Sequence, residues 1–359
     1  MKGLILAGGL GKRLRPLTHT GPKQLIPIAN KPVLHYIVED IAEAGIVDIG
    51  VVVGYTAERI NSIKESLGDG SKWGVRITYI EQDAPRGLAH AVWISKGFIG
   101  NDDFVVYLGD NILKEGIVRF VEEFEKGRAD VSLLISKHQH PEKFGIVEIN
   151  GDEVIGVEEK PVNPKSDYVI TGVYIFQNSV FGYIDGLKPS GRGELELTHV
   201  VQKVIESKKH SVVCHKVSGW WDDAGTADDV LRANHVILSD TARNIMGRIE
   251  TGAVVTGNVE LGKNSTIKSG AVVRGPVIIG ENCVIGEGAY IGPYTSIGDN
   301  TIIENGEIDS CIIMGDSKIN LGGKKMVDSL MGRRVTVSCR HSIPKGYKFI
   351  VGEDSEISV

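Results

Sequence analysis

The sequence predicts two domains of unlike build, an α/β domain over residues 1–238 and a hexapeptide β-solenoid over residues 239–359. Three observations predict this. Apolar runs alternate with helical patterns through the first two thirds of the chain. From Ile249 an aliphatic residue returns at every sixth position. The length, 359 residues, exceeds what one hydrophobic core ordinarily organises.

Residues 2–7 read as a first buried strand. Lys2 ahead of this apolar stretch resembles the start of a signal peptide. The stretch ends at Gly8 and Gly9, however, and Lys12, Arg13 and Arg15 follow, so it is too short. Residues 33–44 have helical spacing, with Pro32 just before and Gly45 just after. Strands follow over 49–53, 75–80, 104–108 and 131–136, and helices over 57–67, 88–96 and 117–126. This order predicts a mostly parallel or mixed sheet covered by helices. Ligands of such sheets bind beyond the carboxyl ends of the strands, where residues 8–15 and 109–111 fall.

The second domain follows from its period. Ile249, Val255, Leu261, Ile267, Val273, Ile279, Ile285, Ile291, Ile297 and Ile303 are six apart. Mostly small residues precede them by two places, among them Ala253, Ser265, Ala271, Cys283, Ala289, Thr295 and Thr301. No helix produces a strict period of six. A solenoid does, because the aliphatic side chain fills the interior while small residues let the chain turn each corner. The phase breaks around residues 305–309 and resumes with Ile313 and Ile319, preceded by Cys311 and Ser317. The break predicts a short loop insertion. The domain boundary falls between Leu238 and Ile249.

Composition narrows the function. Hydrophobic residues make up 42% and charged residues 24%, as in a soluble globular protein. No apolar run approaches the ~18 residues of a membrane span. Net charge is −6, which argues against a nucleic-acid-coating role. Cys214, Cys283, Cys311 and Cys339 form no C-x-x-C pair, so reduced thiols in a cytoplasmic protein are expected. Basic residues are instead concentrated locally, at Lys12, Arg13, Arg15 and Lys23.

The chemistry centres on GLILAGGLGKRLRPLT, residues 3–18. A strand delivers the chain into Gly8, Gly9 and Gly11, and glycines let backbone N–H groups approach phosphates. Arg13 offers a fork for phosphate oxygens and Lys23, close behind, a point charge. The spacing is neither a Walker A nor a G-x-G-x-x-G motif, and a tight strand–helix turn is the plain alternative. YLGDN, residues 107–111, puts a carboxylate at the ligand edge of the sheet, where a cation bridging phosphates needs oxygen. WWDDAGT, residues 220–226, offers Asp222 and Asp223. Each acidic element alone reads as a turn or cap; together they make a two-carboxylate Mg²⁺ site. EEKP (158–161) and GRGELELT (191–198) pair bases with carboxylates, and read equally as solvated charge.

These motifs, GGLGKRLRP, PKQL, EQDAPRGLAHA, LGDN, EEKP, TGVY, RGELELT and WDDAGT, stand in one order across the first 238 residues. In this they resemble the glucose-1-phosphate thymidylyltransferase family of sugar nucleotidyltransferases. The whole chain resembles the long form, with a C-terminal left-handed β-helix after a Rossmann-like catalytic domain.

The resemblance implies residue roles. Gly8, Gly11 and Arg13 would hold the triphosphate, Lys23 would lie on its phosphates, and Leu6, Gly9 and Gln24 would complete the nucleotide pocket. Gln82 and Gly87 would read the base. Asp110 and Asp223 would hold Mg²⁺. Glu159, Lys160 and Arg192 would bind the sugar phosphate, with Gly145 and Val173 lining the sugar pocket. Arg13, Lys23 and Asp110 would carry catalysis. The substrates implied are dTTP, or UTP, and a hexose 1-phosphate. Two departures concern the loop: Lys12 stands where relatives commonly have a small hydroxyl residue, and Leu10 replaces a frequent serine.

The sequence bears on two rival functions. Many hexapeptide-repeat proteins transfer acetyl groups, but they usually need a histidine base, and the only histidine after His235 is His341, in the tail. A non-catalytic regulatory homologue should have lost a loop cation or a metal carboxylate, and both kinds are kept. The β-helix reads as an assembly module whose flat faces suit a homo-oligomer such as a trimer.

Overall fold

The computed structural model describes residues 1–54, 56–127, 129–151, 153–339 and 354–356. His341 lies outside them. Contacts divide the chain into two compact units, Met1–Leu10 with Val33–Asp223, and Gly11–Pro32 with Ala224–Val359.

The first unit is built on nine strands of one sheet. Its strands are β1 (Lys2–Ala7), β2 (Asp48–Val53), β3 (Arg76–Glu81) and β4 (Phe104–Leu108), then β6 (Val131–Lys137), β7 (Gly145–Asn150), β8 (Glu153–Glu159), β9 (Tyr168–Phe176) and β10 (Val212–Lys216). Two short strands, β5 (Asn111–Leu113) and β11 (Trp221–Asp223), pair separately. The sheet order is β3-β2-β1-β4-β9-β6-β10-β8-β7. β3, β2, β1 and β4 are mutually parallel, as the sequence predicts. β9 then enters antiparallel between β4 and β6, so the sheet is mixed.

Strands β1, β2 and β4 are buried almost throughout, as parallel strands covered on both faces must be. Helices α1 (Val33–Glu43), α2 (Ala57–Leu67), α3 (Leu88–Ile94), α4 (Val118–Gly127) and α5 (Leu197–Ser207) accompany them. The helix expected over 88–96 ends at Ile94, where the Ser95 hydroxyl donates back to the Ala91 carbonyl at 2.8 Å. Leu4, Leu6, Phe104, Leu133, Phe176 and Val200 belong to one buried cluster, each such side chain stabilising by about 1.5–3 kcal/mol. The carboxyl ends of β1 and β4 lie side by side, Leu6 opposite Leu108. The Gly109 N–H donates to the Leu6 carbonyl at 2.9 Å. This fixes where the loop after Ala7 and the turn at Asp110 begin.

The second unit contains the parallel β-helix. Glu260 pairs with Ile278 and Ile278 with Ser296, and Thr266 pairs with Val284 and Val284 with Ile302. Each coil is therefore 18 residues, three hexapeptides. Leu261, Ile267, Val273, Ile285 and Ile303 are fully buried in its interior. Corners are turned by Asn264, Asn282 and Asn300, all left-handed with φ of 59°, 55° and 57°. Their amides stack as a ladder at 3.2 Å per step. Burial pushes the Cys311 thiol up to about 11 and raises that of Cys283, so both behave as small apolar residues.

The phase break is not an insertion. Ser296 pairs with Ile312 and Ile302 with Lys318, so this coil is shortened to 16 residues. Ile303, Ile308 and Ile313 are five apart, all fully buried. One strand, Ile302–Asp309, runs straight through where a corner would stand. It bends at Gly306, φ 113°, where a side chain would strike Leu321. No helix among the described residues is long and apolar enough to cross a membrane.

Candidate active site

The loop after β1 is shaped by crowding. A Cβ on Gly8 would sit 2.9 Å from Gln82 Oε1, so only glycine leaves that oxygen accessible. Gly9 is exposed. The Leu10 carbonyl accepts a hydrogen bond from Arg59 at 2.9 Å. Gly11 begins the segment that belongs to the second unit. Its φ of 65° is left-handed, and a Cβ there would lie 3.0 Å from both Lys23 Cβ and Thr18 Cγ2. The Thr18 hydroxyl donates to the Gly11 carbonyl at 2.7 Å. A 3-10 turn, Lys12–Leu14, follows; buried Leu14 anchors it and leaves Lys12 and Arg13 exposed. Gly11, Arg13 and Lys23 thus share one small segment. Gln24 is 1% exposed, and its Oε1 has no hydrogen-bond partner among the described residues.

Gln82 is held by two acceptors. Its Nε2 donates to the Gly87 carbonyl at 3.4 Å and lies 3.1 Å from His90 Nδ1. Desolvation lowers the pKa of His90 from the ordinary imidazole value; with the ring proton on Nε2, the nitrogen that faces Asp83, Nδ1 accepts from Gln82. The amide oxygen is therefore turned toward Gly8. Gly87 is required by its φ of 104° and by the Leu195 backbone, 2.5 Å from where a Cβ would stand. Leu6 lies at the buried end of β1.

The acidic pair is assembled by the small β5–β11 ladder. Asp223 stands opposite Asn111, one residue from Asp110. Asp222 is buried, and its Oδ1 accepts from the Asp223 N–H at 3.0 Å. Asn111 uses both ends of its amide: Nδ2 donates to Asp110 Oδ1 at 3.1 Å, and Oδ1 accepts from Trp221 Nε1 at 2.7 Å. Room for this amide comes from a bulge in β9. Gly172 has φ 77°, and a Cβ there would lie 2.8 Å from Asn111 Nδ2. The bulge also sets Val173 opposite Tyr107. Two carboxylates are a hard-oxygen donor pair. Among the described residues no group of three or more His, Cys, Asp or Glu forms a fuller cage. A cation here would complete its shell with phosphate and water oxygens, as suits Mg²⁺.

A third cluster gathers the remaining predicted residues. Gly145 pairs with Glu159 across β7 and β8, and a Cβ on it would collide with Thr198. Thr198 donates to Glu159 Oε2 at 3.1 Å. Arg192 reaches Glu159 Oε1 and Glu194 Oε2, both at 3.2 Å, and lies 3.9 Å from buried Glu196. Lys160 is 3.8 Å from Glu159 and left-handed, φ 43°. A cavity of about 700 Å³ lies elsewhere, between α4, β6 and β10, and holds none of these residues.

With this geometry in hand, comparison decides the family. Residues 2–240 match the family described as nucleotidyl transferase. This chain belongs to it. Residues 273–359 match a family described as the GMPPB C-terminal domain. Among nucleotidyl transferase relatives, the low-salt glycan biosynthesis nucleotidyltransferase Agl11 of Haloferax volcanii is 46% identical, covering 100% of both chains. The glucose-1-phosphate thymidylyltransferase of Streptomyces antibioticus is 42% identical over 100% of this chain and 99% of that one. A solved Bacillus anthracis structure with sucrose bound, provisionally named a glucose-1-phosphate thymidylyltransferase, is 39% identical. It has a TM-score of 0.62 and covers 68% of this chain and 98% of that one. These relatives and the family support sugar nucleotidyl transfer as the activity.

Sequence reasoning missed several residues of these clusters. Asn111 and Trp221 lie inside quoted motifs, yet nothing in their spacing says that they meet. His90 and Thr198 carry no local signal. Only the fold brings them to Gln82 and Glu159.

Proposed function

We propose that this protein transfers a thymidylyl group from dTTP to glucose 1-phosphate, giving dTDP-glucose and pyrophosphate, and accepts UTP less well. One observation carries the choice of base: Gln82 turns its amide oxygen, an acceptor, toward Gly8. Thymine and uracil offer an N3–H donor to it, as guanine offers N1–H, whereas cytosine N3 and adenine N1 present lone pairs; the thymidylyltransferase relatives favour thymine among the donors. The thymine methyl, worth ~0.8 kcal/mol on burial, gives about a fourfold preference over uracil.

In the proposed reaction a phosphate oxygen of the sugar 1-phosphate attacks the α-phosphorus in line. The new P–O bond forms as the bond to the β-phosphate oxygen breaks, and pyrophosphate leaves with that electron pair. The nucleophile is already an anion, so no general base is needed. Arg13 and Lys23 neutralise the triphosphate. Arg192 and Lys160 hold the sugar phosphate, while Glu159 accepts from sugar hydroxyls. Mg²⁺ fits the Asp110 and Asp223 oxygens and would supply charge neutralisation at the reacting phosphates. Holding two polyanions in register is worth ~7–11 kcal/mol in favourable cases.

A matrix of nucleoside triphosphates against sugar 1-phosphates, scored by pyrophosphate release, tests the reading. The dTTP and glucose 1-phosphate pair should be fastest. Faster turnover with CTP, ATP or GTP contradicts it.

A further inference from the structure

The β-helix coils hold the segment that carries the phosphate-binding cations. That segment ends in a hairpin, Pro27–Ile28 paired with Lys31–Pro32. Its tip is Ala29–Asn30, with φ of 49° and 61°. Two successive non-glycine residues in the left-handed region are costly and need outside support.

Asn234 supplies that support. It lies on the helix Ala227–Ser239 and is 0% exposed. Its Oδ1 accepts from the Ala29 N–H at 2.8 Å and from the Ser296 hydroxyl at 2.7 Å. Its Nδ2 donates to the Tyr294 carbonyl at 2.9 Å. One buried amide therefore joins the hairpin tip to a β-helix coil. Asn30 adds a second tie, its Nδ2 donating to the Ile297 carbonyl at 2.7 Å. The neighbouring side chains close the joint, with His235 stacked on Tyr294 at 4.6 Å. A later coil touches the other side of the same segment, where a Cβ on Gly332 would stand 3.3 Å from Leu17 Cδ2.

We propose that Asn234 is a positioning residue for the triphosphate loop, and that the β-helix coil at Tyr294–Ile297 is the base on which Arg13 and Lys23 are held in register. The coil is then part of the nucleotide-binding machinery. This rests on the nucleotidyl-transfer reading. Loss of the clamp loosens the phosphate-binding segment and leaves the sugar-phosphate cluster, which stands on other strands, as it was.

Steady-state kinetics of the full chain test the clamp. Asn234→Ala should raise the KM for the nucleotide about three- to tenfold, the size of one or two lost hydrogen bonds, with the KM for the hexose 1-phosphate held within about twofold. Asn30→Gly keeps the left-handed backbone and removes only the tie to Ile297; it should show the same split at smaller amplitude. Val259→Ala opens a cavity in a coil strand that carries none of these bonds. It should lower Tm and leave both KM values unchanged. If Asn234→Ala does not fold, Asn30→Gly and Ser296→Ala decide. An unchanged nucleotide KM in folded Asn234→Ala, or in both milder variants, overturns the proposal. A wild type without nucleotidyl transfer defeats the underlying reading instead, and nucleotide Kd by calorimetry then still tests the clamp.

Discussion

The cluster around Gln82 and the cluster around Glu159 are built in opposite ways. Gln82 and His90 are buried, and the amide nitrogen of Gln82 already has its partners. Arg192 is half-exposed and shared among three carboxylates. On the proposed function the first is preorganised to read one hydrogen-bond pattern. On the same proposal the second is a charge held in reserve, because a phosphate arriving at Arg192 would compete with Glu159 and Glu194 for the same guanidinium. Fixed neutral groups give selectivity, while exchangeable ion pairs give capture that depends on solution conditions.

Four experiments sharpen or break this contrast, largest effect first. Asp110→Asn removes one of the two carboxylates proposed to hold Mg²⁺. Turnover should fall by roughly 10²–10³-fold, as when a single electrostatic group is lost, with Tm little changed. Arg192→Ala should cut kcat/KM for the hexose 1-phosphate about ten- to a hundredfold and leave nucleotide binding intact. Matched losses for both substrates would mean that the two clusters are not separate. Gly87→Ala forces a side chain against the Leu195 backbone at φ 104°. It should cost about 1–3 kcal/mol of stability and raise the nucleotide KM.

The smallest effect is pH. The folded His90 pKa lies below its unfolded value. Its contribution is therefore present above about pH 6.5 and is lost as pH falls through the depressed folded value. Protonated His90 has no acceptor for Gln82. The nucleotide KM should rise on acidification in that range, and substitution of His90 by Asn should flatten the rise.

Much of this was legible in the sequence, for physical reasons. Helices over 33–44 and 57–67 show in apolar periodicity, because each buries one face. The strands over 145–159 do not, since Gly145–Asn150 ends the sheet, Glu153–Glu159 lies next to it, and each is only partly buried. The shortened coil is hard to see in the sequence because counting by six passes over Ile308, whose spacing of five from Ile303 and Ile313 marks a deletion. Glycines and acids announce themselves by motif, as Gly11 and Asp110 do. Partners such as Trp221 for Asn111, or Tyr294 for Asn234, are brought together only by the fold.

Pyrophosphate release from dTTP and glucose 1-phosphate, with dTDP-glucose measured as co-product, tests the central claim most directly. The wild-type protein with Mg²⁺ should yield both products in equal amounts, and Asp110→Asn should yield almost none. Absence of release from every nucleotide and sugar-phosphate pair, or equal rates in wild type and Asp110→Asn, would contradict it.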